Sequence, residues 1–350
     1  MEVKALKFGG LTAKRPIVQG GMGVGVSLSS LAGNVAKCGG IGTISGVHPG
    51  YKEADFKENP FRANLRAIGN ELEKAKEIAN GGIIGFNFMT VMNHYEEYVK
   101  EAIGAGADFI VSGAGLPVNL AKYAAGTRAA ILPIVSSARA LKLIVKQWQR
   151  ADRLPDAVVV EGPLAGGHLG YPYGHLVDGT FDTLEDSLVD VVDYVRELEE
   201  KNGVKIPVIA GGGVRNHAGV ERLMALGASG VQVGTKFVAT EECDAAPAFK
   251  QAYLRSRKED VQLIESPVGL AARAIRNSFL EKVEKQGRIP VQRCYQCMNH
   301  CKQAETKYCI SQALIDAVQG REGLVFCGAN AYEIEKLSTV EKVMQELCGE

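Results

Sequence analysis

The amino-acid sequence predicts a parallel (β/α)8 barrel, the TIM-barrel fold, followed by a smaller and mostly helical C-terminal cap. Short apolar runs rich in β-branched residues alternate with helical segments about eight times over the first 240 residues. The runs are continuously apolar, as in strands covered on both faces, and glycine or polar residues follow them. A doubly wound open sheet remains the alternative, because periodicity does not distinguish a closed sheet from an open one.

Strands and helices are predicted in regular alternation. The predicted strands lie at residues 16–20, 40–45, 83–88, 109–113, 131–136, 157–161, 207–210 and 230–234. Alanine, leucine and charged residues at helical spacing predict helices at residues 28–36, 71–79, 95–104, 118–125, 138–149, 184–201 and 218–226. The barrel is therefore predicted over residues 1–240 and the cap over 241–320, while 321–350 returns to the barrel and ends in a helix.

Composition narrows the class of protein. Forty basic and forty acidic residues leave the 350-residue chain with a formal net charge of zero, which argues against a nucleic-acid-binding surface. No apolar run approaches the roughly 18 residues of a membrane span, and the N-terminus has no apolar signal segment. We expect a cytoplasmic protein that acts on a small molecule, with an electron-carrier protein and a second copy of the chain as candidate partners.

The segment Glu161–Gly170 carries the strongest chemical signal. It follows an apolar strand and delivers a carboxylate, two adjacent glycines and the imidazole of His168 to one strand end. Glycines let a backbone approach a ligand closely, and histidine is the side chain whose ordinary pKa lies nearest neutrality. The segment therefore predicts a site with His168 as the proton-transfer group.

Two glycine turns predict a phosphate site on the same face. Gly211–Gly213 follows the seventh predicted strand and Gly234–Thr235 follows the eighth. In (β/α)8 barrels the loops after these two strands commonly bind a phosphate through backbone N–H groups. Neither turn contains a lysine, so amides would be the main donors, which suits the monophosphate of a cofactor such as FMN.

The motifs from residue 10 to residue 245 resemble those of the nitronate monooxygenases and of their relatives, the flavin-dependent enoyl-acyl-carrier-protein reductases. The similar segments are Pro16–Gly23, Gly39–Gly42, Phe86–Asn87, Glu161–His168, Pro207–Gly213 and Gly230–Glu242. The resemblance implies a barrel that binds FMN without a covalent link and a cap that covers the substrate. It also implies that His168 is the catalytic histidine.

Further site residues are implied by the same resemblance. Contacts to the flavin ring and ribityl chain are implied for Met22, Gly23, Asn87, Glu161 and Gly166. Contacts to the ribityl phosphate end are implied for Gly212, Gly213, Gln232, Val233, Gly234 and Thr235.

Two enzymatic activities are compatible with this resemblance. A nitronate monooxygenase would oxidise nitronates or nitroalkanes with FMN and O2, with His168 removing or orienting the acidic proton. An enoyl-thioester reductase would use NAD(P)H as the donor. Glu161 and the Gly167–Gly170 run are closer to the reductases, because many monooxygenases have glutamine in the place of Glu161. A non-catalytic flavin and cysteine redox sensor is the alternative of another class.

Four of the eight cysteines crowd into one C-terminal segment. Cys294, Cys297, Cys301 and Cys309 have the spacing Cys-x2-Cys-x3-Cys-x7-Cys. Four thiolates ligate a [4Fe–4S] cluster or a structural zinc ion, and the spacing resembles that of flavin-dependent dienoyl reductases. The sequence leaves three alternatives open: an iron–sulfur cluster, a structural zinc ion with His300 as an alternative ligand, and four reduced structural cysteines.

Overall fold

The computed structural model describes residues 4–299 and 301–350. Thirteen strands occur within this part of the chain. They are β1 (Leu6–Phe8), β2 (Leu11–Ala13), β3 (Ile17–Gln19), β4 (Ile41–Ser45), β5 (Ile83–Met89), β6 (Phe109–Gly113), β7 (Ala130–Val135), β8 (Val158–Glu161), β9 (Gly167–Leu169), β10 (Val208–Gly211), β11 (Gly230–Val233), β12 (Val261–Glu265) and β13 (Ala271–Ile275).

Thirteen α-helices occur in the same part of the chain. They are α1 (Ser29–Lys37), α2 (Pro60–Ala79), α3 (Tyr95–Gly104), α4 (Leu120–Tyr123), α5 (Ala138–Trp148), α6 (Tyr173–Asp178), α7 (Leu184–Asn202), α8 (His217–Ala225), α9 (Thr235–Val238), α10 (Pro247–Arg255), α11 (Ser278–Gln286), α12 (Ile310–Val318) and α13 (Val340–Cys348).

Eight parallel strands close into a barrel in the spatial order β10-β11-β3-β4-β5-β6-β7-β8. These are the eight strands that the sequence predicts, so the (β/α)8 prediction is confirmed and the open sheet is excluded. Closure depends on the pairing of the last strand with the first, in which Gln232 of β11 lies opposite Val18 of β3. The polar and glycine residues after the strands consequently meet on one face.

The N-terminal end of the barrel is filled by apolar side chains. Leu6 and Phe8 of the antiparallel β1–β2 hairpin pack onto inward-facing strand residues such as Val111 and Ile209. The rings of Phe8 and Phe109 meet edge to face, 6.1 Å apart. Because this end is packed shut, the opposite, C-terminal end is where the barrel interior opens to ligands.

The cap contains a small sheet that the sequence did not predict. Strands β12 and β13 form an antiparallel hairpin, and β13 also pairs with β9 of the barrel loop, with Ala272 opposite His168. Helix α2 also differs from its prediction, since it begins at Pro60, where the side chain of Asn59 accepts the N–H of Arg62. The final helix α13 packs against α1 and α8, which returns the chain to the barrel.

Candidate active site

A cavity of about 610 Å³ opens at the C-terminal ends of the barrel strands. The predicted catalytic residue His168 lies in its wall. So do all the predicted cofactor residues, namely Met22, Gly23, Asn87, Glu161, Gly166, Gly212, Gly213, Gln232, Val233, Gly234 and Thr235. Sequence positions more than 200 residues apart thus meet in one space, and its volume lies in the range of about 300–1,000 Å³ typical of ligand pockets.

Several positions in the cavity wall require glycine because the backbone of another loop lies too close for a side chain. A Cβ on Gly212 would lie 3.1 Å from the backbone of Gly162 and Ala165, and the φ of Gly212 is +106°. A Cβ on Gly166 would lie 2.8 Å from the backbone of Cys327 and Gly328. These contacts bring the loop after β8, the loop after β10 and the C-terminal segment together, so that backbone amides rather than side chains form this part of the wall.

The predicted phosphate end has polar groups that the glycine turns did not reveal. The Thr235 hydroxyl accepts the N–H of Gly328 at 3.0 Å, which joins the C-terminal segment to the loop after β11. Two cations, Arg215 and Lys236, also line this part of the cavity. Lys236 Nζ donates to Glu346 at 2.6 Å, and Arg215 to Glu333 at 2.5 Å, so both cations are held in place by carboxylates.

His168 is held on the cavity wall by two contacts. Its Nε2 lies 2.7 Å from the hydroxyl of Ser266, and its ring meets Phe326 edge to face at 5.0 Å. Burial lowers the pKa of the imidazole to about 4, because the charged form loses its solvation. The ring is therefore neutral at physiological pH.

Glu161 ends strand β8 on the same wall, and the pKa of its side chain is shifted in the opposite direction. Burial raises the pKa of its carboxyl group to about 7. Its backbone carbonyl accepts the hydroxyl of Tyr171 at 3.2 Å, and no lysine, arginine or histidine of the described residues forms an ion pair with its carboxylate. At neutral pH both the ionised and the protonated form of Glu161 are therefore populated, whereas almost no His168 is in the doubly protonated imidazolium form.

The loop that carries His168 is fixed from the cap. Arg273 of β13 is buried, and its guanidinium donates to the carbonyl oxygens of Pro163, at 3.0 Å, and Ala165. Burial lowers the pKa of Arg273, because the charged guanidinium loses its solvation, and no carboxylate of the described residues forms an ion pair with it. The cap strand thus sets the position of the backbone between Glu161 and His168.

Sequence reasoning missed several residues of the cavity wall. They are Tyr253, Phe326, Cys327, Ala329, Asn330, Glu333 and Ile334. They come from the cap and from the C-terminal segment, where no motif marks them. Gly328 is the one sequence feature that could have indicated these residues, since the absence of a side chain permits its close contact with Thr235.

The four cysteines of the C-terminal segment influence one another electrostatically. Burial is the main cause that raises the pKa of Cys297, and the thiols of Cys309, Cys301 and Cys294 raise it further. Among the described residues, however, no three His, Cys, Asp or Glu side chains are arranged to hold a metal ion. The predicted [4Fe–4S] or zinc site thus receives no support, and His300 lies outside the described residues.

The fold and the cavity define a class of protein. A closed (β/α)8 barrel with a glycine-lined cavity, a neutral imidazole and a buried carboxyl group on its C-terminal face has the architecture of a barrel enzyme. The chain belongs to the nitronate monooxygenase family, whose model matches residues 4–350. This family makes the protein an oxidoreductase.

Curated relatives agree with this assignment. A probable nitronate monooxygenase of Staphylococcus saprophyticus is 26% identical over 308 residues, which cover 81% of this chain and 82% of the relative. A probable nitronate monooxygenase of Staphylococcus haemolyticus is 36% identical over 136 residues, covering 39% of this chain and 36% of the relative.

Solved structures share the fold. FabK from Thermotoga maritima superposes with a TM-score of 0.72 at 24% identity, covering 96% of this chain and 92% of that one. Nitroalkane oxidase from Streptomyces ansochromogenes superposes with a TM-score of 0.67 at 21% identity, covering 97% and 96%. In the described part of the chain, no helix has the length and apolarity needed to cross a membrane.

Proposed function

We propose that this protein is an FMN-dependent oxidoreductase that oxidises nitronates with O2. One observation carries the proposal: the cavity brings His168 together with the glycine-rich loops after strands β8, β10 and β11. The residues fit FMN, because Gly212 and Gly166 allow backbone amides to approach a ligand, and Arg215 and Lys236, each held by a carboxylate, add N–H donors at the phosphate end. When bound, FMN supplies electron transfer from the substrate and reaction with O2.

The protein residues supply position and electrostatics. Neutral His168 binds the nitronate through a ring nitrogen, and the apolar ring of Phe326 keeps water from the imidazole. Because the cavity is partly enclosed, a hydrogen bond from His168 to an anionic nitronate is stronger than it would be in water. Glu161 faces the same space, and its raised pKa of about 7 reduces its negative charge at neutral pH and so its repulsion of an anionic substrate.

A second candidate, an NAD(P)H-dependent enoyl-thioester reductase, is favoured by Glu161. Reduction of an enoyl thioester needs a proton donor, and at neutral pH the protonated acid form is more populated for Glu161, with a pKa of about 7, than for His168, with a pKa of about 4. An anaerobic assay and an aerobic assay separate the two activities. Anaerobic bleaching of the flavin by NAD(P)H that an enoyl thioester reverses supports the reductase, whereas aerobic, nitronate-driven O2 uptake without NAD(P)H supports the monooxygenase.

Replacement of His168 tests its role in either reaction. We expect His168→Ala to keep its flavin and to lose about 10²- to 10⁴-fold in kcat/KM, the range that one proton-transfer or orienting group contributes. His175→Ala is the matched control, because His175 is exposed on α6 and lies outside the cavity. Steady-state O2 uptake and the flavin absorbance of the purified variants give both results, and an unchanged rate for His168→Ala would contradict the assignment.

Flavin content tests the cofactor itself. Protein purified without added flavin should show the absorbance of oxidised flavin, or should take up FMN when it is supplied. Colourless protein that also fails to bind added FMN would refute both enzymatic candidates. It would also refute the flavin and cysteine redox sensor, which shares the same cofactor.

A further inference from the structure

In the cap hairpin formed by β12 and β13, the side chain of Ser266 contacts the imidazole of His168. Ser266 lies in the turn between β12 and β13, and its hydroxyl oxygen is 2.7 Å from His168 Nε2. The turn is rigid, because the Ser266 N–H donates to the Leu270 carbonyl and the Gly269 N–H donates to the Ser266 carbonyl, both at 2.9 Å. Ser266 is only 6% exposed, so water does not compete freely for its hydroxyl.

The hydrogen-bond pattern around Ser266 fixes which atom carries the proton. The Ser266 oxygen accepts the backbone N–H of Val268 at 3.4 Å, and no acceptor other than His168 faces its hydroxyl among the described residues. A buried O–H without an acceptor costs about 1–3 kcal/mol. The arrangement that avoids this cost has Ser266 O–H donating to His168 Nε2, and a neutral imidazole then holds its own proton on Nδ1.

We propose that Ser266 is a positioning residue that holds His168 in the tautomer with its proton on Nδ1, so that His168 meets the substrate as a hydrogen-bond donor. Within the described part of the chain no group bonds Nδ1, which leaves that N–H for a ligand in the cavity. The role of His168 toward a nitronate oxygen or a thioester carbonyl is therefore to donate and orient rather than to remove a proton from carbon. This inference rests on the proposed function, which places the substrate beside His168.

His48 also contacts a serine, but its proton lies on the other ring nitrogen, so it serves as an internal reference for His168. His48 is buried, its Nε2 is 2.8 Å from Ser311 Oγ, and its Nδ1 is 3.3 Å from the side-chain nitrogen of Asn64. Because an amide nitrogen only donates, His48 accepts at Nδ1 and carries its proton on Nε2. The two buried Ser–His pairs therefore have opposite proton positions.

The test is long-range ¹H–¹⁵N NMR of the histidine side chains in the flavin-loaded protein. The chain has six histidines, and His168→Gln identifies the resonances of His168 by their loss. We expect the Nδ1–H pattern for His168 and the Nε2–H pattern for His48. Ser266→Ala should remove the preference of His168 and leave His48 unchanged, whereas Ser266→Thr, which keeps the hydroxyl, should restore it.

Kinetics separates positioning from a purely structural role. Ser266→Ala should lower kcat by at least about 10-fold with little change in KM, and Ser266→Thr should stay within about twofold of the wild type, because a wrong tautomer affects the transition state more than binding. Ser311→Ala is the matched control, since it removes a similar serine from His48 and should not change kcat.

Two results would overturn the inference: an Nε2–H pattern for His168 in the wild type, or a His168 spectrum that is unchanged in Ser266→Ala. Failure of the proposed function has a different signature. In that case the spectra change as expected while neither nitronates nor enoyl thioesters are turned over by the wild type, and only the positioning of the ring by Ser266 is supported.

Discussion

At the scale of single residues, the cavity reverses the usual order of two titratable groups. Burial raises the pKa of Glu161 to about 7 and lowers that of His168 to about 4. Pairs of groups whose surroundings separate their pKa values in this way are a common basis for assigning acid and base roles. Here the carboxyl group of Glu161 is the group that can donate a proton, and the imidazole of His168 is a neutral hydrogen-bonding group.

The raised pKa of Glu161 predicts an unusual dependence of stability on pH. The unfolded chain ionises Glu161 near its ordinary value of 4.5, whereas the folded protein does so at about 7, so a rise in pH between these values weakens the folded state. We expect Glu161→Gln to remove this loss. The variant should be more stable than the wild type at about pH 8, by up to about 3 kcal/mol, and close to it at about pH 5.

Urea unfolding of both proteins at the two pH values measures this difference. Glu200→Gln is the control, because Glu200 is exposed on α7 and its replacement should have little effect at either pH. Equal stabilities of Glu161→Gln and wild type at about pH 8 would show that the carboxyl group ionises without cost in the folded protein.

The sequence motifs predicted which residues line the cavity where those residues directly follow a barrel strand. Gly212, Gly213 and His168 follow strands, and any residue after a barrel strand faces the same end. The contacts of Ser266 and Arg273 could not be predicted, because their partners, His168 and the carbonyls of Pro163 and Ala165, lie about 100 residues away in sequence. No local pattern records such contacts.

At the scale of elements, the cap hairpin and the barrel loop after β8 form one unit. Strand β9 of the loop pairs with β13, and Arg273 of β13 donates to two carbonyls of the loop. The eight barrel strands were predictable because each is a continuous apolar run, whereas β12 and β13 were not. Strand β13, Ala271–Ile275, is buried because it packs under the loop. Its sequence did not predict this burial, since an arginine interrupts the apolar run.

Loss of the Arg273 side chain should loosen this unit. Arg273→Leu removes both donors and leaves two carbonyls without partners, so we expect a loss of about 3 kcal/mol in the free energy of unfolding and weaker FMN binding. Arg276→Leu is the matched control, because Arg276 is half-exposed and its side chain pairs with Glu281 and Glu284 on α11. Its effect should stay within about 0.5 kcal/mol.

Denaturant unfolding and a fluorescence titration with FMN give the two quantities. If Arg273→Leu bound FMN as the wild type does, the loop would be positioned by the barrel alone.

At the scale of the whole molecule, a residue that follows the last barrel strand caps the first helix of the barrel, α1. Helix α1 has no capping side chain at Leu28, and Asp244 supplies the missing acceptor from beyond the last barrel strand. Its carboxylate accepts the N–H groups of Leu28 at 2.8 Å and of Ser30 and Leu31 at 3.1 Å. A carboxylate at a helix N-terminus also interacts favourably with the helix dipole.

This capping predicts that the barrel and the C-terminal residues unfold together. Asp244→Ala leaves three backbone N–H groups at the start of α1 without an acceptor, so we expect it to lower the free energy of unfolding by about 2–4 kcal/mol in a single transition.

Two probes report on the barrel and on the C-terminal residues. The first is the fluorescence of Trp148, the only tryptophan, at the end of α5, and the second is the labelling of the buried thiol of Cys327. Both midpoints should shift by the same amount, while Asp190→Ala, an exposed site on α7, should shift neither. Labelling of Cys327 at a lower denaturant concentration than the change in Trp148 fluorescence would instead show that the C-terminal residues unfold first and independently.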